Sequence, residues 1–135
     1  MNKEYTVGQY LVDRLYELGL EHLFSIAGDY SIEWLNSYVE PSKIQIIEEV
    51  NELNAGFAAD GYARLKGIGA LCVTYSAGAL SAVNCIAGAY VEKVPVVLIE
   101  MCVLTNHRDE ALVSTSEGEQ KLADSLADAV MAAIN

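Results

Sequence analysis

The chain has 135 residues, 53% of them hydrophobic, and a formal net charge of −11; this length builds about one compact domain with a modest core. So acidic a chain repels a phosphate backbone and an anionic membrane surface, both of which recruit Lys and Arg, so nucleic acid and membrane are excluded as partners. No run approaches the ~20 apolar residues of a membrane span, and Met1-Asn2-Lys3-Glu4 lacks the basic-then-apolar layout of a secretory signal, so a cytoplasmic location is expected.

The predicted elements alternate between helix and strand. Thr6-x-x-Gln9 has the form of a capping box, Leu11, Leu15 and Leu18 recur at helical spacing, and Gly19 follows as a left-handed terminator, which predicts a helix over about 6–18. A short strand over 22–26 leads into Ala27-Gly28-Asp29. Ile32, Trp34, Leu35 and Tyr38 then predict a short helix closed by Pro41, and 45–49 reads as a second strand. Asn51 can cap a helix running to about Lys66, where Gly67 and Gly69 break it, and 70–75 is a continuous apolar strand. Small residues dominate a helix over about 79–90, and 95–99 reads as a further buried strand with Pro95 at its first position. Beyond Ile99 the sequence turns polar through 105–119 and ends in a helix whose apolar stripe is Leu122, Leu126, Ala129, Val130 and Ile134.

Uniformly apolar strands separated by helices predict an α/β domain in which an open parallel sheet carries helices on both faces. No linker divides the chain. Cys72, Cys85 and Cys102 lie in apolar segments without C-x-x-C spacing, which suits reduced core thiols rather than disulfides or a zinc site. Trp34 and Tyr38 read as core or interface aromatics, and His22 as a satisfied histidine at a strand edge.

Open parallel sheets bind ligands at the carboxyl ends of their strands, and three segments fall there: Ala27-Gly28-Asp29, 49–52, and Tyr75-Ser76-Ala77-Gly78. Neither G-x-G-x-x-G nor G-x-x-x-x-G-K-[ST] is present, so dinucleotide and P-loop sites are not expected. Glu52, between Asn51 and Asn54 at a helix start, is the candidate functional acid. An acid there also suits the helix dipole without any further role.

The segments 51–64 and 73–82, with Ala27-Gly28-Asp29-Tyr30, resemble the pyrimidine-binding domain of thiamin-diphosphate-dependent 2-oxo acid decarboxylases, the pyruvate and indolepyruvate decarboxylase family, from about Tyr5 to Ile99. The resemblance implies a single flavodoxin-like domain over 1–135 with a divergent tail from about 100 to 135. It implies that the Glu52 carboxyl hydrogen-bonds N1′ of the thiamin diphosphate aminopyrimidine and favours its imino tautomer, with apolar neighbours that raise the pKa of the acid. It also implies that Asp29 faces the reacting 2-oxo acid, and that Ala27, Gly28, Thr74, Tyr75 and Ser76 line the pyrimidine ring.

Two family features are missing from the sequence: an adjacent His-His pair, in place of which stands the lone His107, and the Gly-Asp-Gly…Asn motif that binds Mg²⁺ and diphosphate. The resemblance therefore implies that Mg²⁺ comes from a partner domain. It also implies a homodimer, through the small-residue helices, or pairing with a chain that carries the diphosphate-binding domain. The absent motifs leave open a different reading, a stand-alone assembly or scaffold domain that keeps the fold without the reaction.

Overall fold

In a computed structural model of the chain, residues 6–100 and Thr115 are described, and helices and strands alternate along them as the sequence predicts. Helix α1 (Val7–Glu17) begins where Thr6, in an extended conformation, accepts a hydrogen bond from the Gln9 backbone N–H at 3.2 Å. The Gln9 side chain donates to Asp13 Oδ1 at 2.9 Å, so it runs down the helix instead of back to Thr6, and only half of the expected capping box forms. Leu18 closes the helix and Gly19 takes a φ of +93°, the left-handed value that glycine adopts without strain.

Strand β1 (His22–Ser25) leads to α2 (Ile32–Trp34), which passes directly into a π-helical turn over Leu35–Val39. The short helix expected around Trp34 is thus widened in its second half. The Glu40 N–H reaches back five residues to the Leu35 carbonyl at 2.8 Å, a spacing no apolar periodicity signals. Strand β2 (Gln45–Glu48) precedes α3 (Glu52–Lys66), β3 (Gly69–Val73), α4 (Ala77–Val91) and β4 (Val96–Glu100).

All pairings in the sheet are parallel, and its order is β2-β1-β3-β4. Because side chains alternate along a strand, β3 supplies both layers of core. Ala70 and Cys72 pack with Leu11, Val12, Leu15, Trp34, Leu35 and Val39 on one face. Leu71 and Val73 pack with Ala55, Ala59, Ala79, Ala82 and Cys85 on the other. β3 is buried along its whole length, whereas β2 and β4, the outer strands among the described residues, are half-buried or exposed at most positions, which corrects the expectation that 95–99 is a buried strand.

Two boundaries also differ from expectation. β3 stops at Val73 rather than near Tyr75, and α4 starts at Ala77 rather than near Ala79, because Thr74, Tyr75 and Ser76 form a sharp turn that a run of strand-compatible residues conceals. α3 and α4 approach closely through small residues. A Cβ on Gly56 would stand 1.8 Å from Cys85 Sγ; α3 lies equally close to β3, where a Cβ on Gly69 would stand 2.1 Å from the Ala59 carbonyl oxygen.

Cys72 and Cys85 are buried and reduced, as expected, and burial pushes the Cys72 thiol up to about 12. Trp34 is buried and donates through Nε1 to the Gly8 carbonyl at 3.2 Å. Cys102, His107 and the expected C-terminal helix lie outside the described residues. Among the described residues, no helix is long and apolar enough to cross a membrane.

Candidate active site

The chain leaves β1 toward β2 on one side, crosses back to β3, and leaves β3 toward β4 on the other. The loops after β1 and β3 therefore diverge, opening the switch-point crevice where sheets of this kind take ligands. Every residue singled out from sequence as a site residue lies at the carboxyl end of a strand beside this crevice or at the start of the helix after one.

At the end of β1, the Ile26 N–H and Ser25 Oγ both donate to the Cys72 carbonyl, at 3.2 and 3.0 Å, so this strand end is fastened to β3. The turn Ala27-Gly28-Asp29 then folds into α2, with the Gly28 carbonyl accepting from the N–H groups of Ser31 and Ile32 at 3.0 and 2.9 Å. Ala27 and Asp29 are exposed, while Gly28 faces Thr74: a Cβ there would stand 2.9 Å from Thr74 Cβ and 3.1 Å from its Oγ1.

Helix α3 starts as expected. Asn51 is extended, and its Oδ1 accepts from the Asn54 N–H at 2.9 Å, satisfying one of the donors a helix start leaves open. This cap makes Glu52 the first helical residue. Its side chain is half-buried, and Oε1 lies 3.3 Å from the point a Cβ on Gly78 would occupy; Thr74 Cγ2 lies 3.0 Å from the same point. Gly28, Thr74, Gly78 and Glu52 thus form one contiguous chain of contacts across the ends of β1 and β3.

Beyond Thr74, the Tyr75 ring meets the Tyr30 ring edge-on, with centroids 4.6 Å apart. A hydrogen bond to Tyr30 raises the Tyr75 pKa above its ordinary value, and the proximity of the second phenol adds to the shift. Ser76 adopts φ 59° and ψ −91°, and its N–H donates to Glu100 Oε1 at the end of β4.

Sequence reasoning brought out Glu52, Gly28 and Thr74, which the structure brings together, and Tyr75 and Ser76, which adjoin them. Asp29 sits on the β1 side of the crevice, exposed, and the described contacts do not join it to Glu52. Gly78 and Tyr30 fell within segments picked out from sequence but were given no role there, and Glu100 was missed altogether. Glu100 carried a usable signal, a charge closing an otherwise apolar strand at its carboxyl end. His22 is at the opposite end of β1, where its Nδ1 lies 3.1 Å from the Tyr62 hydroxyl, consistent with a satisfied edge histidine.

The arrangement offers one carboxyl group, walled by Thr74 and by a helix turn without a Cβ, that can accept a hydrogen bond or, when protonated, donate one to a flat heterocycle. That donor set fits the pyrimidine half of thiamin diphosphate. Among the described residues, no group of three or more His, Cys, Asp or Glu side chains could hold a metal ion.

Comparison with known proteins identifies the family. A family model described as "Thiamine pyrophosphate enzyme, N-terminal TPP binding domain" matches residues 5–129, thirty residues beyond Ile99, where the resemblance was expected to end. The chain is 53% identical over 95 residues to an alpha-keto-acid decarboxylase of Mycobacterium avium (strain 104) and 56% identical over 95 residues to one of Mycobacterium leprae (strain TN). A third, from Mycobacterium tuberculosis (strain ATCC 25618 / H37Rv), is 52% identical over the same length. Each alignment covers 70% of this chain and 17% of the relative, so the chain spans about a sixth of the length of the curated relatives it matches. The chain belongs to the thiamine pyrophosphate enzyme family, as a member of its N-terminal TPP-binding domain.

Proposed function

We propose that this domain is the pyrimidine-binding half of a thiamin-diphosphate-dependent 2-oxo acid decarboxylase. The observation that carries the reading is the placement of Glu52 Oε1 beside Gly78 and Thr74 at the switch point, in a chain more than half identical over the aligned stretch to alpha-keto-acid decarboxylases. Glu52 holds a proton at N1′ of the aminopyrimidine. Gly28, Thr74, Tyr75 and Ser76 orient the ring and exclude water from it, Ala27 borders the same turn, and Asp29 stands near the substrate carboxylate. When bound, thiamin diphosphate supplies the electron sink that accepts the charge left by loss of carbon dioxide.

Because the curated relatives are about six times as long as the matched stretch, the Mg²⁺ and diphosphate contacts are assigned to a partner domain, and the domain by itself binds the cofactor weakly. The expected setting is the cytoplasm. Association as a homodimer is supported by the outward faces of α3 and α4, where Phe57, Leu65, Leu80, Val83, Tyr90 and Val91 are exposed. Leu80, Val83 and Tyr90 share one helical face at i, i+3 and i+10, and exposed apolar stripes of this kind mark contact surfaces.

Titrating the purified chain calorimetrically with thiamin diphosphate, with and without Mg²⁺, tests the reading. Saturable binding weakened roughly tenfold by Glu52→Gln supports it. The same apolar faces favour the second reading, an assembly or scaffold domain without activity. Absence of binding both alone and with a diphosphate-binding partner, with self-association intact in Glu52→Gln, would select that reading instead.

A further inference from the structure

The outer strand β4 reaches into the candidate site through its last residue. Glu100 is exposed, yet its Oε1 accepts the backbone N–H of Ser76, twenty-four positions earlier in the chain. Ser76 is one of two non-glycine residues with positive φ among the described residues, and its pair of angles lies near the γ-turn of positive φ. A side chain is held there only when its surroundings over-determine the conformation. The Ser76 side chain supplies no cap to α4, and its backbone N–H is held from outside the helix by Glu100.

The first turn of α4, directly after Ser76, is tightly tied. The Ala79 N–H donates to the Thr74 carbonyl at 3.2 Å and the Leu80 N–H to the Ser76 carbonyl at 2.8 Å. If Ser76 relaxed to negative φ, the peptide planes on either side would turn and the first turn of α4 would move with them. That turn borders the site, since a Cβ on Gly78 would stand 3.0 Å from Thr74 Cγ2 and 3.3 Å from Glu52 Oε1. Motion at Ser76 therefore changes the narrow space beside the Glu52 carboxyl by moving Gly78.

We propose that Glu100 is a positioning residue: by accepting the Ser76 N–H it holds the turn over 74–78 in the shape that sets Glu52, and so raises the affinity of the site for an aminopyrimidine ring. The proposal rests on the pyrimidine-binding function of this site. In this role Glu100 acts through the Ser76 N–H.

The test compares Glu100→Ala, Glu100→Gln and Ser76→Gly in the full chain. Amide exchange at Ser76 and the ¹³C resonance of the Glu52 carboxyl are followed by NMR, and thiamin diphosphate affinity with Mg²⁺ by calorimetry. Glu100→Ala is expected to speed Ser76 exchange and to weaken binding by roughly tenfold each, the loss of one hydrogen bond to a charged acceptor. Glu100→Gln, whose carboxamide oxygen still accepts, should restore most of both. In a Ser76→Gly background, where positive φ is free of strain, Glu100→Ala should change affinity little.

The proposal is overturned if Ser76 exchange is unchanged in Glu100→Ala, if the variant loses thermal stability with affinity and the Glu52 resonance unmoved, or if the loss persists undiminished beside Ser76→Gly. Should the unsubstituted chain bind no thiamin diphosphate, the functional reading has failed separately. Ser76 exchange and the Glu52 resonance then decide the clamp: both moving in Glu100→Ala upholds it, and either one staying fixed overturns it.

Discussion

Glu52 Oε1 and Thr74 Cγ2 converge on one point, the empty Cβ position of Gly78, at 3.3 and 3.0 Å. The candidate acid and the wall opposite it therefore border a single gap, and the absence of one methyl group on α4 keeps that gap open. Substitution at this point should separate the site from the stability of the fold.

Gly78→Ala is the corresponding test. Alanine in a helix is favoured over glycine by about 1 kcal/mol, which offsets the cost of moving Thr74 Cγ2 and Glu52 Oε1, both at the ends of movable side chains. The expected outcome is a midpoint of thermal unfolding within a few degrees of the unsubstituted chain, with a clear loss of thiamin diphosphate affinity. Equal affinity at equal stability would show that Gly78 does not set the position of Glu52.

Gly56→Ala meets a harder obstacle. The new Cβ would overlap Cys85 Sγ at 1.8 Å and press on Cys85 Cβ at 3.1 Å, inside the α3–α4 contact. Overpacking of this kind costs about 1–3 kcal/mol, so a lowered denaturant midpoint is expected. Cys85→Ala removes the sulfur, and the double variant should recover part of the loss; urea unfolding of all four proteins gives the coupling between the two positions. Strict additivity would mean that the helices separate rather than repack.

The Cys72 thiol, raised by burial from 9.0 to about 12 although the nearby Ser31 and Ser25 hydroxyls pull the other way, remains protonated at neutral pH. Its pKa is raised in the folded chain, so its contribution to stability is complete below about pH 9 and is lost as the pH climbs through about 12. Iodoacetamide should modify Cys72 at pH 8 at a small fraction of its rate in denaturant, because the thiolate is the nucleophile. Equal rates in folded and unfolded chain would show that this part of β3 opens to solvent.

Charges placed on the outer face of α4 test association. Leu80 is 70% exposed and Val83 is 51% exposed, so Leu80→Asp with Val83→Asp removes no core contact. Surface changes of this kind usually stay within about 0.5 kcal/mol per site. Light scattering at micromolar concentration should report a dimer for the unsubstituted chain and a monomer for the variant. A monomer in both cases would sink the homodimer.

Much of this fold is legible in the sequence because its signals are local. Thr6 and Asn51 mark helix starts through side-chain oxygens that meet a backbone N–H three residues on, and Gly19 and Gly67 mark ends through positive φ. Glu52 stands out for the same reason, since the cap at Asn51 fixes where the helix begins and hence where the acid lies. The π-helical turn at Leu35–Val39 and the early end of β3 were not legible, because both depend on backbone hydrogen bonds that residue type hardly constrains.

By itself the sequence determined the order of elements, the parallel sheet and the family, since these derive from apolar periodicity, capping residues and matched motifs. It did not determine that Thr74 lies between Gly28 and Gly78, that Glu52 Oε1 approaches Gly78, or that Glu100 accepts the Ser76 N–H. Those pairs are separated by twenty to fifty residues or joined across a turn, and they meet because parallel pairing in the order β2-β1-β3-β4 gathers the strand ends at one edge. Local chemistry chose the elements, and long-range packing alone set the distances between them.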